Sequence, residues 1–319
     1  MALAIIAMII GLAVLVWSAD LFIDGATAIA VKFNMPSFLI GVLILGLGTS
    51  APEMVVSALS AYAGSPGLAL GNAYGSNIMN IALVLGVTAF ISPIFIRGAV
   101  VKQDMLLLLA MTALAAWQLL DGTLSRFDGI VLSLALLIVL MIQIVLALRQ
   151  PAANAPVEAV DEVSSTRAIF SLIIGLAALI LSSRAIVWGA VQLATLWGIS
   201  ELLIGLTIVA IGTSLPELVA SIVAARRGEH EMALGNIIGS NLFNTLGVVG
   251  LAAIIHPLAV EPEILSRDFL AMAIITALLF VLALIAYNRS GYLGKGGGAV
   301  LIASFIGYTG WLISSALYP

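Results

Sequence analysis

Two stretches of this sequence set the same polar residues inside long apolar runs. Residues 48–53 read Gly-Thr-Ser-Ala-Pro-Glu and residues 212–217 read Gly-Thr-Ser-Leu-Pro-Glu, an offset of 164 that carries Glu53 onto Glu217. An ionised carboxylate within a hydrocarbon-spanning segment is costly unless something compensates its charge. The other ionisable residues read inside spans are Asp20, Asp24 and Arg184, and one arginine cannot neutralise both glutamates. A bound cation can. Pro52 and Pro216 lack an N–H and crowd the preceding turn, which frees the carbonyls of Gly48 and Gly212. Gly46, Gly48 and Gly212 loosen the backbone further, so both helices are expected to open locally. Freed carbonyls, the hydroxyls of Thr49, Ser50, Thr213 and Ser214, and two carboxylates form the all-oxygen shell that a hard cation such as Ca²⁺ or Na⁺ prefers.

A second pair of motifs follows at the same offset. Gly71-Asn72-Ala73-Tyr74-Gly75-Ser76-Asn77 returns as Gly235-Asn236-Ile237-Ile238-Gly239-Ser240-Asn241, and Asn80 returns as Asn244. Asn72, Ser76 and Asn80 stand at i, i+4 and i+8, as do Asn236, Ser240 and Asn244, so each set makes one polar stripe on a helix. Such stripes face the interior of a bundle, either hydrogen-bonding between helices or touching ions. Ser76, Asn80, Ser240 and Asn244 are read as ion contacts. Gly71-x-x-x-Gly75 and Gly235-x-x-x-Gly239 are read as close-packing surfaces, because small residues let helices approach.

The elements that hold these motifs must be membrane helices. With 62% hydrophobic residues, 9% charged residues and a mean hydropathy of +1.23, the chain has too little polar surface for a soluble globule of 319 residues. Ten apolar runs are long enough to cross a bilayer: 2–31, 36–62, 69–91, 103–120, 128–149, 168–196, 201–225, 233–255, 268–287 and 298–317. Their continuous apolar character argues against a β-barrel, whose strands alternate. The first run has no Lys or Arg before it and outlasts a signal-peptide core, so it is read as a retained helix. The predicted fold is therefore an all-α polytopic membrane protein, with a first five-helix repeat at 1–149, a solvated linker at 150–167 and a second at 168–319. Five helices is an odd number, so the second copy enters the membrane in the opposite sense, giving an inverted repeat.

Loop charge agrees with that count. With the N-terminus outside, the inward loops hold Lys32, Arg97, Lys102, Arg149, Arg167, Arg226, Arg227, Arg289 and Lys295, against Arg126 and Arg267 in the outward ones. Both termini are thus expected outside a plasma (inner) membrane, with the linker in the cytoplasm. Asp20 and Arg184 share the 164 offset and invite comparison as a pair, although snorkelling of each to its own interface is the favoured reading. Asp24 and Glu201 lie near span ends and read as solvated; His230 and His256 lack the neighbours of a metal site. No HExxH, Gly-x-Ser-x-Gly or phosphate-cradling loop is present, which gives an ATP-driven pump or a hydrolase no support. Zero cysteines removes disulfides and thiolate ligands.

At the four motifs the sequence resembles the calcium/cation antiporter superfamily, and specifically its prokaryotic sodium/calcium exchanger branch. Gly48 to Glu53 with Gly71 to Asn80, and Gly212 to Glu217 with Gly235 to Asn244, match that family's two alpha repeats. The resemblance implies a gating pair formed by the first and sixth helices, sliding against a core of the second, third, seventh and eighth. It also implies that Glu53 and Glu217 bind calcium with the backbone carbonyls of Thr49 and Thr213, and that sodium sites use Ser50, Ser76, Ser214, Ser240 and the Ala210 carbonyl. Some relatives carry Asp where this chain has Asn244; the neutral amide here argues against potassium co-transport. The expected function is secondary antiport of Ca²⁺ for Na⁺ by alternating access at a midplane site, with H⁺/Ca²⁺ exchange as the alternative. A cation channel suits a two-fold inverted repeat less well. No cofactor and no nucleic acid is expected; the partners are the lipid bilayer and the transported cations.

Overall fold

A computed structural model of the chain describes residues 1–149, 165–198 and 210–317. Inside hydrocarbon no water satisfies the backbone, so each apolar run closes its own hydrogen bonds as a helix. The helices are α1 (Ala2–Lys32), α2 (Ser37–Tyr62), α3 (Pro66–Ile91), α4 (Val100–Leu119), α5 (Arg126–Arg149) and α6 (Ser165–Leu196). After them come α7 (Leu215–Arg226), α8 (His230–Ile255), α9 (Ile264–Arg289) and α10 (Lys295–Leu317). Among the described residues nine of these are long and apolar enough to cross a membrane. The remaining one, α7, has 12 described residues and is preceded by a short helical turn, Ala210–Thr213. The stretch 199–209, where the seventh span was expected to begin, lies outside the described residues, and Glu201 with it.

Helix ends follow local chemistry. Pro66 takes the first turn of α3, where its missing N–H costs nothing, and so the helix starts ahead of the apolar run. Gly64 after α2 and Gly228 after α7, again 164 apart, adopt positive φ (73° and 82°) that lets the following amides cap the helix. Wide π-type turns interrupt the helices at Met79–Leu85 and Phe243–Val248, and at Val100–Asp104 and Ile264–Phe269, in two pairs that keep the same offset.

Glycines set how closely the helices cross. On α1 and α6 they fall at 11 and 25, then 175 and 189. A Cβ at Gly11 would strike Ser182 and Ile186, and one at Gly25 would strike Ala168 and Leu172, so the two helices run antiparallel in near backbone contact. The first half of α2 lies equally close to α8, where Gly235 and Gly239 face Phe38, Gly41 and Val42. Gly71 and Gly75 face no described residue within 4 Å, and the positions corresponding to Phe38 and Val42 in the second motif fall among residues 202–206, outside the described residues. The most apolar stretches of α3 and α8 are 72% and 83% buried, against 11% for that of α10, which puts α3 and α8 at the centre of the described bundle. Large apolar side chains such as Ile9, Leu12, Leu137, Ile138 and Ile274 point outward, as lipid contact requires.

Two small antiparallel ribbons join loops that are distant in sequence. Strand β1 (Ile94–Phe95) pairs with β4 (Tyr292–Leu293), and β2 (Thr123–Leu124) pairs with β3 (Leu258–Ala259).

Candidate ion-binding site

The first motif lies on α2 and the second spans the turn Ala210–Thr213 and the start of α7. The expected backbone opening is seen on one side only. Ser214 leaves helical geometry (φ −93°, ψ 9°) between Thr213 and Leu215, whereas α2 stays helical through Gly48, Thr49, Ser50 and Pro52 and widens earlier, at Gly41–Gly46. The carbonyl released by Pro216 is taken up: Ser183 on α6 donates its hydroxyl to Gly212 O at 2.8 Å.

Around the glutamates the two halves repeat their hydrogen bonds. Asn72 Nδ2 donates to Glu53 O (3.2 Å) and Ser57 Oγ (2.8 Å), and Asn236 Nδ2 donates to Glu217 O (3.5 Å) and Ser221 Oγ (2.9 Å). These bonds fix the helix segments that carry the carboxylates and leave the carboxylates themselves unengaged. Other bonds cross between halves: Thr49 Oγ1 lies 3.4 Å from Asn236 Oδ1, and Ser240 Oγ donates to Gly46 O at 3.4 Å. Asn72 and Asn236 thus serve as braces in this structure. Asn77 is likewise engaged, donating to Thr245 Oγ1 at 2.7 Å, and Asn241 donates to Ile237 O at 2.7 Å.

Glu53 and Glu217 are 1% and 0% exposed and lie within electrostatic reach of one another. The Thr49 hydroxyl acts on Glu217 as a weak donor, but among the described residues neither carboxylate has an ion-pair partner or a hydrogen bond of ordinary geometry. The same is true of Ser50 Oγ, Ser214 Oγ and the side-chain amides of Asn80 and Asn244, all on fully buried residues. Buried polar atoms are normally paired, so a concentration of orphaned oxygens is a donor set for a ligand. Asn80 and Asn244 sit in the paired π-type turns of α3 and α8, a distortion that often marks functional positions. Ser76 and Ser240 are buried one turn before them, Thr49 is fully buried, and Thr213 and Ala210 lie in the short turn ahead of α7. No group of three or more His, Cys, Asp or Glu occurs among the described residues, so the unengaged donors gathered here are two carboxylates and neutral oxygens.

The sodium/calcium exchanger family model matches residues 3–145 and 167–314. The chain belongs to that family. This exchanger is 39% identical over 320 residues to CaxA of Alkalimonas amylolytica, covering 99% of this chain and 100% of that one. It is 37% identical over 313 residues to the inner membrane protein YrbG of Escherichia coli, covering 96% and 95%. Its structure is similar to that of the sodium-calcium exchanger NCX_Mj soaked with Na⁺ and Ca²⁺, with a TM-score of 0.83, 34% identity and 99% of both chains covered. The protein is therefore a multi-pass membrane transporter of the cation-exchanging class and not an enzyme.

Among the other charges in this exchanger, the partner of Asp20 and Asp24 was not anticipated, whereas Arg184 and the histidines sit as expected. Asp20 does not meet Arg184, which is exposed; Asp20 pairs with Arg227 at 2.6 Å, and Asp24 pairs with the same guanidinium. These are partly exposed pairs of modest worth. His256 Nδ1 lies 2.8 Å from Pro257 O and His230 packs edge-on to Tyr292, neither in a metal site. Sequence reasoning missed Asp104 and Asp268, which are 8% and 6% exposed at the starts of α4 and α9. Gln143 donates to Asp104 at 3.3 Å, while Arg267 and Tyr308 hold Asp268 at 2.8 and 2.9 Å. Their spacing of 164 was the available signal; placing them at span ends hid it.

Proposed function

We propose that this exchanger moves Ca²⁺ against Na⁺ by alternating access at a site near the bilayer midplane. The observation that carries the reading is the pair of fully buried carboxylates Glu53 and Glu217, which have no counter-charge among the described residues. Two fixed negative charges are balanced by one Ca²⁺ or by sodium ions, while an unloaded site keeps two repelling carboxylates in low dielectric and disfavours crossing. Mutually exclusive occupancy couples the fluxes. Glu53 and Glu217 bind calcium with the carbonyls of Thr49 and Thr213, and Ser50, Ser76, Ser214, Ser240 and the Ala210 carbonyl serve sodium. Asn80 and Asn244 contribute amide oxygens without charge. The sodium-calcium exchanger NCX_Mj, similar over nearly the whole chain, supports sodium as the coupling ion ahead of protons.

The architecture proposed for this cycle is ten crossings in two inverted repeats, 1–149 and 168–319, joined by the linker 150–167. Parity supports it. Loops that touch must lie on one face of the membrane and so be separated by an even number of crossings. Strands β2 and β3 pair across α5, α6 and α8, so one more crossing is needed between α6 and α8. The seventh span expected from the sequence, of which α7 is a described part, is the crossing proposed there. The same count suits the β1–β4 pair, the Arg97–Glu231 ion pair and the Lys32–Ser165 hydrogen bond. The excess of Lys and Arg on one set of loops orients the termini outward and the linker inward.

Proteoliposomes test the function directly. An outward Na⁺ gradient is expected to drive Ca²⁺ uptake without potassium and with the membrane potential clamped, whereas a proton gradient alone drives none. Uptake that needs no opposing ion would instead mark a channel. Topology is checked in the naturally cysteine-free chain: Ala155→Cys and Ser290→Cys are expected to label from the cytoplasm, and Thr123→Cys and Glu263→Cys from outside. Labelling of 123 and 155 from the same face contradicts the count.

A further inference from the structure

The two halves repeat their polar residues around the glutamates, so a contact that one half has and the other lacks points to what distinguishes the two transport states. The hydrogen bond from Ser183 to Gly212 O, at 2.8 Å, is such a contact. Its counterpart would join residue 19 to Gly48, and residue 19 is alanine. Both motif glycines nevertheless lie against the same helix: a Cβ at Gly48 would meet Leu176, and one at Gly212 would meet Val187. Strict two-fold symmetry would pair Gly48 with Ile23 on α1, so the α1–α6 pair sits asymmetrically over the two motifs.

Gly212 O is the carbonyl that Pro216 strips of its helical donor, and it lies in the turn just before Ser214 and Glu217. Ser183 is 3% exposed and is the side chain that supplies the missing donor. A buried carbonyl left without any donor is destabilised, so α6 cannot move along this motif without a compensating partner for Gly212.

Building on the exchange cycle proposed above, we infer that Ser183 is a positioning residue: it locks the Gly212 carbonyl to α6 in one transport state and must release it for α6 to slide into the other. The lock biases the equilibrium between the two states, and no equivalent lock opposes it at Ala19. Loss of one such bond is expected to shift the ratio of the two states by about fivefold.

The test reads conformation rather than flux. Single reporters Ala58→Cys and Ile222→Cys, at equivalent and partly exposed positions one turn beyond the two motif glutamates, are labelled in membranes with an impermeant thiol reagent from each face. Ser183→Ala is expected to change the ratio of the two labelling rates by about fivefold, and Ser183→Thr, which keeps the hydroxyl, to leave it near wild type. Ala19→Ser, which installs the missing donor, is expected to move the ratio in the same sense as loss of Ser183, because it favours the opposite state. A ratio unchanged in Ser183→Ala overturns the inference, as does a shift in Ser183→Thr as large as that in Ser183→Ala, which would mark simple packing damage. Because labelling needs no gradient, a wild-type protein that fails to exchange Ca²⁺ for Na⁺ while its reporters respond as described would refute the exchange reading and leave the lock standing.

Discussion

Glu53→Gln and Glu217→Gln are each expected to reduce sodium-driven calcium uptake by at least about a hundredfold, with the protein still folded and inserted. Removing one partner of a buried charge pair costs about 3 kcal/mol or more, which at 1.4 kcal/mol per decade gives that factor. Glutamine keeps the shape and one carbonyl oxygen but halves the fixed charge available to a divalent ion. The apo protein gains from the same change: two carboxylates with no counter-charge among the described residues repel each other in low dielectric, and removing one relieves both the repulsion and the burial cost. Thermal unfolding in detergent without calcium should therefore occur at the same temperature or higher. Near-normal uptake by either variant would sink the two-carboxylate site, and a collapse in stability would assign the glutamates a structural role.

Gly235→Val has the second largest expected effect, and it works through packing alone. A side chain at 235 has to enter the space filled by the carbonyl of Phe38 and the backbone of Gly41, which are not flexible tips that can swing aside. Overpacking of this kind costs about 1–3 kcal/mol and pushes backbone apart. Here it separates α8 from α2, the two helices whose contacts Thr49–Asn236 and Ser240–Gly46 join the halves at the site. Transport and thermal stability are expected to fall together. Gly307→Ala on α10 is the control, because nothing lies within 4 Å of its Cβ position; there the better helix propensity of alanine leaves stability equal or slightly raised. Equal behaviour of the two variants would mean that the glycine crossing does not hold the site.

Membrane physics made much of this fold legible. A run of about 20 apolar residues can be only a helix in hydrocarbon, so α1, α2, α5 and α6 were readable nearly to their ends. The repeated motifs placed Glu53 and Glu217 in the interior because a charge at that depth needs a compensating partner. What the sequence could not convey was which of two chemically equal partners a group would choose. Asp20 took Arg227 over Arg184 because the helix rotation and tilt that decide this are set by packing, not by spacing. The prolines predicted freed carbonyls in both motifs, yet α2 absorbs Pro52 within a continuous helix while the second motif breaks at Ser214. Nearly the same local chemistry sits against different neighbours, since α6 presents Leu176 to Gly48 but Ser183 and Val187 to Gly212.

The ribbons bear on how the chain is made. β1 forms early in synthesis, but its partner β4 lies just before the last helix, and α1 must wait for α6 before its glycine face is covered. Contacts of such long sequence separation form late and leave incomplete chains exposed. During translation the first five helices thus wait in the bilayer with one buried glutamate, a bare glycine stripe and unpaired strand edges. A chain interrupted before residue 292 would present all three to the machinery that recognises unfinished membrane proteins, so the symmetry that serves transport also makes biogenesis a single commitment, complete only when the final hairpin docks.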